Sequence, residues 1–501
     1  MKRLELDSIA TKRLGRFTRF VFSLEMHFQQ AMFSLGLSTH GTGSEPKMPH
    51  PTLQIMQPKR VDWKDWFLPV LMGMVLLTAT YSFSPNFRWV PGPRASLFAG
   101  DFANECLGGY MVHSGDRSRF YDVAYAKQLQ HDCGVVGYQW DRAKYLPLVY
   151  PPFYYLLVSP LSTLPLDLAA WIWAAGLISS LVVTLILLVL QTGQPPWRVH
   201  ASEEVSRLLP WVIPLVLLYM PVIENFTSSQ KGSVCLLVLT ATYCLMNRDR
   251  RLGAGIVFGL LVFKPQLTLV IAVTMFVKRE WRFVLGMMST ATVFLSLSLC
   301  LGIDVCRQYV VFSLGAGDYL RTAGYQLVES HCLYGFFVLL TGDGDLSLAR
   351  VLTAVSAAAL ILVLGSMLRG TLQTGTRRFA AQFAALVIAT VLLSPHLFTY
   401  DLTILLLAMY LTWLLLSHDQ RPVGKLRQTL VSLSLVAYVS PQLSVWLAES
   451  TSLQITVFIQ AAWLIALSRY AKWLPEDRRS EPVCKKEMVP ELLTEGPCGS
   501  S

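Results

Sequence analysis

Gly100-Asp101-Phe102-Ala103-Asn104-Glu105 opens the first long polar stretch of a chain that is otherwise mostly apolar. Asp101 and Glu105 are one helical turn apart and would share a face. Two neighbouring carboxylates push their proton affinities apart, which lets one act as a base. A base at the mouth of a membrane bundle, away from bulk water, suits proton removal from a hydroxyl. The same residues also fit a helix cap and a solvated surface pair.

Lys264, in Lys264-Pro265-Gln266, interrupts an apolar run. An ammonium there is costly and faces either a cavity or a counter-charge. Beside a helix break at Pro265 it would suit a phosphate, or it forms a structural ion pair with Asp401 or Glu224. Ser394-Pro395-His396, followed by Tyr400-Asp401, is a second interruption. His396 there binds phosphate as imidazolium, donates a neutral hydrogen bond, or is a satisfied buried histidine. Glu224-Asn225-Phe226 and Gln230-Lys231-Gly232 place polar groups between two apolar runs, and His331 sits in Glu329-Ser330-His331-Cys332. Tyr150, in Tyr145-Leu146-Pro147-Leu148-Val149-Tyr150-Pro151-Pro152, is either a substrate contact or part of a rigid, proline-stopped start to a helix.

These residues lie between runs long enough to cross a bilayer. Of 501 residues, 53% are hydrophobic and 15% charged, against about a quarter charged in soluble domains. The fold expected is an all-α polytopic membrane protein of about 12–13 transmembrane helices. The first span is expected at Trp66 to Phe83, then a polar loop to about Lys144 with two one-sided helices on the membrane surface. Further spans are expected near 148–165, 168–190, 208–223, 231–246, 253–277, 281–302, 350–368, 379–393, 398–416, 428–446 and 452–470, with a second polar loop at 303–349. The 253–277 run reads as two short helices meeting near Lys264, so that the chain goes in and comes back. Strict alternation conflicts with the basic connectors: either one segment between 148 and 223 dips in without crossing, or one charge cue misleads.

The net charge of +10 sits in short connectors, Arg248 to Arg251, Lys278 to Arg282, Arg377-Arg378 and Arg421 to Arg427. That pattern marks a cytoplasmic face rather than a nucleic-acid site. Residues 1–60 read as a basic cytoplasmic tail, or as a start upstream of the true one given Met48 and Met56; 61–472 form the transmembrane domain and 473–501 a disordered cytoplasmic tail. The nine cysteines form no zinc-like spacing, and Cys106 with Cys133, or Cys306 with Cys332, could be disulfides or free thiols. No Gly-rich phosphate loop is present, so an activated substrate would come from the membrane.

Taken in order, the pieces are more specific than any one of them: Asp101-Phe102, then Phe120-Tyr121-Asp122, Tyr150-Pro151-Pro152 with Pro160-Leu161, Gln230, Gly259 to Gln266, Leu333-Tyr334-Gly335 and Ser394-Pro395-His396. This order over roughly 66–415 resembles glycosyltransferase family 87, GT-C-fold membrane enzymes. The resemblance implies inverting transfer of a sugar, usually mannose, from a polyprenyl-phosphate donor to a lipid or glycan hydroxyl on the outer face of the cell membrane. It places the catalytic aspartate on Asp101. The family's Gly-Gln element falls on Ser229-Gln230, its Lys-Pro element on Lys264-Pro265 and its Ser-Pro-His element on Ser394-Pro395-His396. Ser229 stands where a glycine is usual, and Ser330-His331-Cys332 where Asn-Gln-Ser is usual.

The set carried forward is therefore Asp101 as general base with Glu105, Tyr150, Gln230, Lys264, His331 and His396 as substrate-binding residues. Lys264 and His396 would stabilise the departing phosphate. No cofactor is implied, and a divalent metal, used by some GT-C enzymes, stays open. Partners would be the lipid-linked donor, a lipid or glycan acceptor and membrane lipids, with no nucleic acid. A flippase for a lipid-linked glycan would show repeated helix sets and short loops on both faces. A glycan polymerase or ligase would show arginines near the outer-loop histidine, where 303–349 has only Arg307 and Arg321.

Overall fold

A computed structural model describes residues 101–115, 117–132, 135, 146–192, 212–322, 327–342, 346–418 and 424–474. The expected first span, the tail 1–60, Cys133 and the tail beyond residue 474 lie outside the described residues. Among the described residues the secondary structure is helical, with one isolated bridge between Ser330 and Phe398.

In chain order the α-helices are α1 Phe102–His113, α2 Val123–His131, α3 Pro152–Ser162, α4 Leu166–Thr192, α5 Met220–Thr227, α6 Gly232–Asn247, α7 Arg251–Gly259 and α8 Leu269–Val277. They continue with α9 Trp281–Cys300, α10 Ile303–Thr322, α11 Leu333–Thr341, α12 Leu346–Met367, α13 Arg377–Leu393, α14 Leu405–Ser417, α15 Lys425–Thr451 and α16 Ile455–Ala471. Among the described residues five stretches are long and apolar enough to cross a membrane: α4, α9, α12, the run Thr399–Ser417 that ends in α14, and α15. This is an all-α polytopic membrane protein. The large apolar side chains left exposed, such as Trp171, Leu285, Val355 and Leu362, lie on these long helices, as a lipid solvent permits.

α13 is the central post. Every residue from Phe379 to Leu392 is buried, and Tyr243, Phe283, Phe383 and Trp463 share its core. A second core joins α1 to α3 and α10 through Phe102, Phe120, Tyr155 and Phe312. Here α1 departs from expectation. It is buried over ten of its positions rather than lying one-sided on the surface, because it wedges between α3 and the Trp173 side of α4, where Phe102 stacks on Trp173 at 4.9 Å. α2 does lie at the surface, burying only Ala126 and Gln130. α3, with Pro160 inside it, is about 17 Å long, too short to cross a bilayer as the span expected at 148–165 would.

The 253–277 run divides as the Lys-Pro pair dictates. α7 passes through a 3₁₀ turn to Lys264, a second 3₁₀ turn starts at Pro265, and α8 follows. α7 and α9 run side by side in the same direction, with Gly255 against the Phe283 backbone and Gly259 against Thr290. Arg251 at the start of α7 forms an ion pair with Glu280 at the start of α9. The run therefore enters and leaves at one end of the bundle. At that end Lys278 donates to the Leu368 and Gly370 carbonyls, Thr374 bonds Asp249 at 3.1 Å, and Arg377 reaches the His418 carbonyl at 3.0 Å. The basic connectors thus converge on one face, and helices α6 and α13 carry the chain roughly 25 Å to the other.

At that other end the two loops touch. Gln308 accepts from Tyr121 N at 3.2 Å and donates to Arg117 O at 3.2 Å. The second loop is less a loop than expected: α10 and α11 occupy most of it, and α11 is packed into the core. Cys106, Cys306 and Cys332 carry free thiols.

Candidate functional site

Six charged side chains from five parts of the chain meet at the end opposite the basic connectors: Asp101, Glu105, Glu224, Lys231, Lys264 and Asp401. Asp101 stands at the start of α1, but its side chain caps nothing. Its backbone N donates to Ser228 O at 3.2 Å, and its Oδ2 accepts from Gln230 Nε2 at 2.5 Å. α1 is thereby tied to the turn between α5 and α6.

That turn explains the departure at Ser229. The residue has φ 54°, the left-handed conformation that ends α5, and Gln230 N closes it onto Asn225 O at 2.8 Å. A glycine takes this conformation without penalty; serine does not. Two residues after Gln230, Gly232 must be glycine, since a Cβ there would stand 2.6 Å from Tyr400 O and 2.9 Å from Asn225 Oδ1. The Asn225 oxygen instead takes the Gly232 N–H at 2.5 Å.

Lys231, between them, is 2% exposed. Its ammonium pairs with Glu105, which also accepts from the Tyr154 hydroxyl, and it lies over the Tyr150 ring at 4.3 Å. Lys264 Nζ binds Asp401 Oδ1 at 2.6 Å, with the Tyr400 ring 5.1 Å away. The ion-pair alternative for Lys264 is thus realised, with Asp401 rather than Glu224. Both pairs are almost fully buried. A buried charge needs such a partner, because losing water costs several kcal/mol per ion.

Glu105 and Asp401 each hold a lysine, whereas Asp101 holds only a neutral amide, and Glu224, close enough to interact with both Asp101 and Asp401, bonds Thr399. Asp101 and Glu224 keep part of their surface open, while Glu105 and Asp401 are buried. Low-dielectric surroundings raise the proton affinity of Asp101 above the ordinary carboxylate range; the Gln230 bond and the nearby Lys231 and Lys264 charges offset this only in part. The arrangement is a partly exposed base of raised strength, fixed on one oxygen and free on the other.

The remaining sequence candidates reach this end with different surroundings. The Tyr150 backbone is clamped by Tyr121 Oη at 2.7 Å and Tyr155 Oη at 3.2 Å, and its ring faces Lys231. Glu105 is occupied by Lys231 and Tyr154 and faces protein. His331 is fully buried, with Thr456 Oγ1 2.7 Å from Nδ1 and Thr399 Oγ1 2.9 Å from Nε2. Burial lowers its pKa to about 3, so it is a neutral tie between segments. Its N–H bonds Leu397 O at 3.0 Å, which joins the second loop to the Ser-Pro-His turn. His396 stands edge-on to Phe398 at 4.3 Å. Desolvation, opposed by Asp401 and aided by Lys264, brings its pKa to about 4. Of the two charged or neutral roles open to it, the neutral one fits.

The Ser330-His331-Cys332 departure is also local in its consequences. Cys332 Sγ caps α11 by accepting from Gly335 N at 3.5 Å, the position where serine or another side chain with an accepting oxygen is favoured. The residue that sequence reasoning passed over is Lys231. Its signal was present: an ammonium abutting the apolar run that begins at Gly232, the same cue that singled out Lys264.

Comparison with known families gives one finding. The model for Glycosyltransferase family 87 matches residues 148–395, a stretch that includes Tyr150, Gln230, Lys231, Lys264 and His331 and ends one residue before His396. No curated protein and no solved structure matches the chain.

Proposed function

The chain belongs to glycosyltransferase family 87 and is a membrane glycosyltransferase, and from this premise we propose that it moves a hexose, mannose in the first instance, from a polyprenyl-phosphate donor to a hydroxyl of a lipid or glycan, with inversion. The observation that carries the reading is Asp101: partly open, held through one oxygen by the neutral amide of Gln230, and without a lysine of its own. The acceptor oxygen attacks the anomeric carbon from the face opposite the phosphate and gives its proton to the free Asp101 oxygen. The bond from that carbon to the phosphate oxygen breaks, and the polyprenyl phosphate leaves with the electron pair. A base of raised proton affinity suits this task.

Lys264 gives Asp401 one of its three possible hydrogen bonds, which leaves donors for the phosphate; neutral His396 supplies a hydrogen bond rather than a charge. Glu105, through Lys231, supports the site from behind, and Tyr150 walls it. The donor's lipid tail lies among the spanning helices. The site sits at the end opposite the converged basic connectors, which supports an outer-face reaction.

Membranes with and without the expressed chain are given either labelled polyprenyl-phosphate-mannose or labelled nucleotide-mannose, with extracted native lipids and glycans as acceptors. Chain-dependent product is expected from the polyprenyl donor with lipid recycling blocked. Product from the nucleotide sugar alone would overturn the donor assignment.

A further inference from the structure

Gln230 has one polar atom explained and one not. Its side chain is 5% exposed, its Nε2 donates to Asp101, and its Oε1 has no hydrogen-bond partner. An ionised carboxylate only accepts, so the amide must turn its nitrogen to Asp101 and its oxygen away. The donors around it are already engaged. Lys231 is held by Glu105, Trp173 Nε1 donates to Ser229 O at 3.0 Å, and Gly232 N donates to Asn225. A buried acceptor left empty beside a fixed base is costly unless something outside the chain fills it.

We propose that Gln230 Oε1 accepts a hydrogen bond from a sugar hydroxyl next to the reacting centre. This inference rests on the transferase reading above. The acceptor hydroxyl that donates to Asp101 and the anomeric carbon it attacks both come beside the same amide, so one residue both aims the base and reads a hydroxyl next to the reaction. That hydroxyl belongs either to the acceptor, next to the nucleophilic hydroxyl, or to the donor sugar, next to its anomeric carbon. The chemistry at Oε1 is the same in both cases.

The acceptor that becomes labelled in the transfer experiment is resynthesised without each hydroxyl adjacent to the glycosylated position, and the donor without its 2-hydroxyl. kcat/KM is measured for each in the full-length wild type and in Gln230→Met. Loss of the relevant hydroxyl is expected to cost the wild type roughly ten- to a hundredfold, because it leaves the buried oxygen unpaired. In Gln230→Met, already weakened by the loss of the amide that aims Asp101, the same deletion is expected to cost less than about threefold. A penalty confined to the acceptor series or to the donor series identifies the source. Equal penalties in wild type and variant overturn the inference while leaving the transferase intact. If Gln230→Met does not fold, the wild-type series still decides: no deoxy substrate losing more than about twofold overturns it. No labelled product from wild type removes the donor reading of the proposed function and this inference with it.

Discussion

Removing the Lys231 ammonium while keeping Glu105 leaves a carboxylate buried at 2% exposure with only a tyrosine hydroxyl for company. Lys231→Met preserves the length and apolar stem of the side chain and removes the ammonium, which lies over the Tyr150, Tyr154 and Trp173 rings. The larger loss is the ion pair with Glu105. Breaking one partner of a buried pair costs about 3–5 kcal/mol, mostly as the penalty for the orphaned charge. Neutralising both partners costs far less, since that orphan is gone. Lys231→Met is therefore expected to lower the apparent melting temperature in detergent by on the order of 5–10 °C, and Glu105→Gln/Lys231→Met to recover more than half of the loss. Melting is followed by the monodisperse fraction remaining after heating, with the same lipid and detergent for all variants. A double variant no more stable than Lys231→Met would refute the claim that the pair is held for mutual neutralisation.

Two further outcomes follow from the same geometry. Because burial raises the Asp101 proton affinity, and the base works only when ionised, kcat/KM is expected to fall as pH drops through a limb lying above the ordinary carboxylate pKa of about 4; a pH–rate profile flat down to pH 4 would contradict it. Ser229→Gly removes a left-handed serine at φ 54° and is expected to add about 1 kcal/mol of stability with transfer retained, read as a higher apparent melting temperature; no gain would show that serine's own contacts offset the strain.

How much of this was legible in the sequence depended on range. The break at Lys264-Pro265 was legible because proline and a charge in an apolar run act locally. Lys264 with Asp401 was among the alternatives, since each interrupts a span. Lys231 was harder, because its partner Glu105 lies on a different helix, 126 positions away in sequence, and periodicity says nothing about which helices meet. α1 misled for the same reason: its spacing of Phe102, Cys106 and Tyr110 suggested one apolar face, yet Asn104 and Glu105 are buried too. They are satisfied by Pro147 O, Gln130 and Lys231, polar partners supplied by tertiary contacts. His331 looked like a site residue from its motif, and only the two threonines at its ring show it holding segments together.

The most direct test of the central claim is the rate of sugar transfer from labelled polyprenyl-phosphate-mannose by Asp101→Asn beside wild type, each shown to be folded by its melting profile. Asparagine keeps the shape and a contact to Gln230 but cannot take the proton. The account predicts a loss of about 10²–10⁴-fold in kcat with unchanged stability. A folded Asp101→Asn enzyme working within about tenfold of wild type would contradict it.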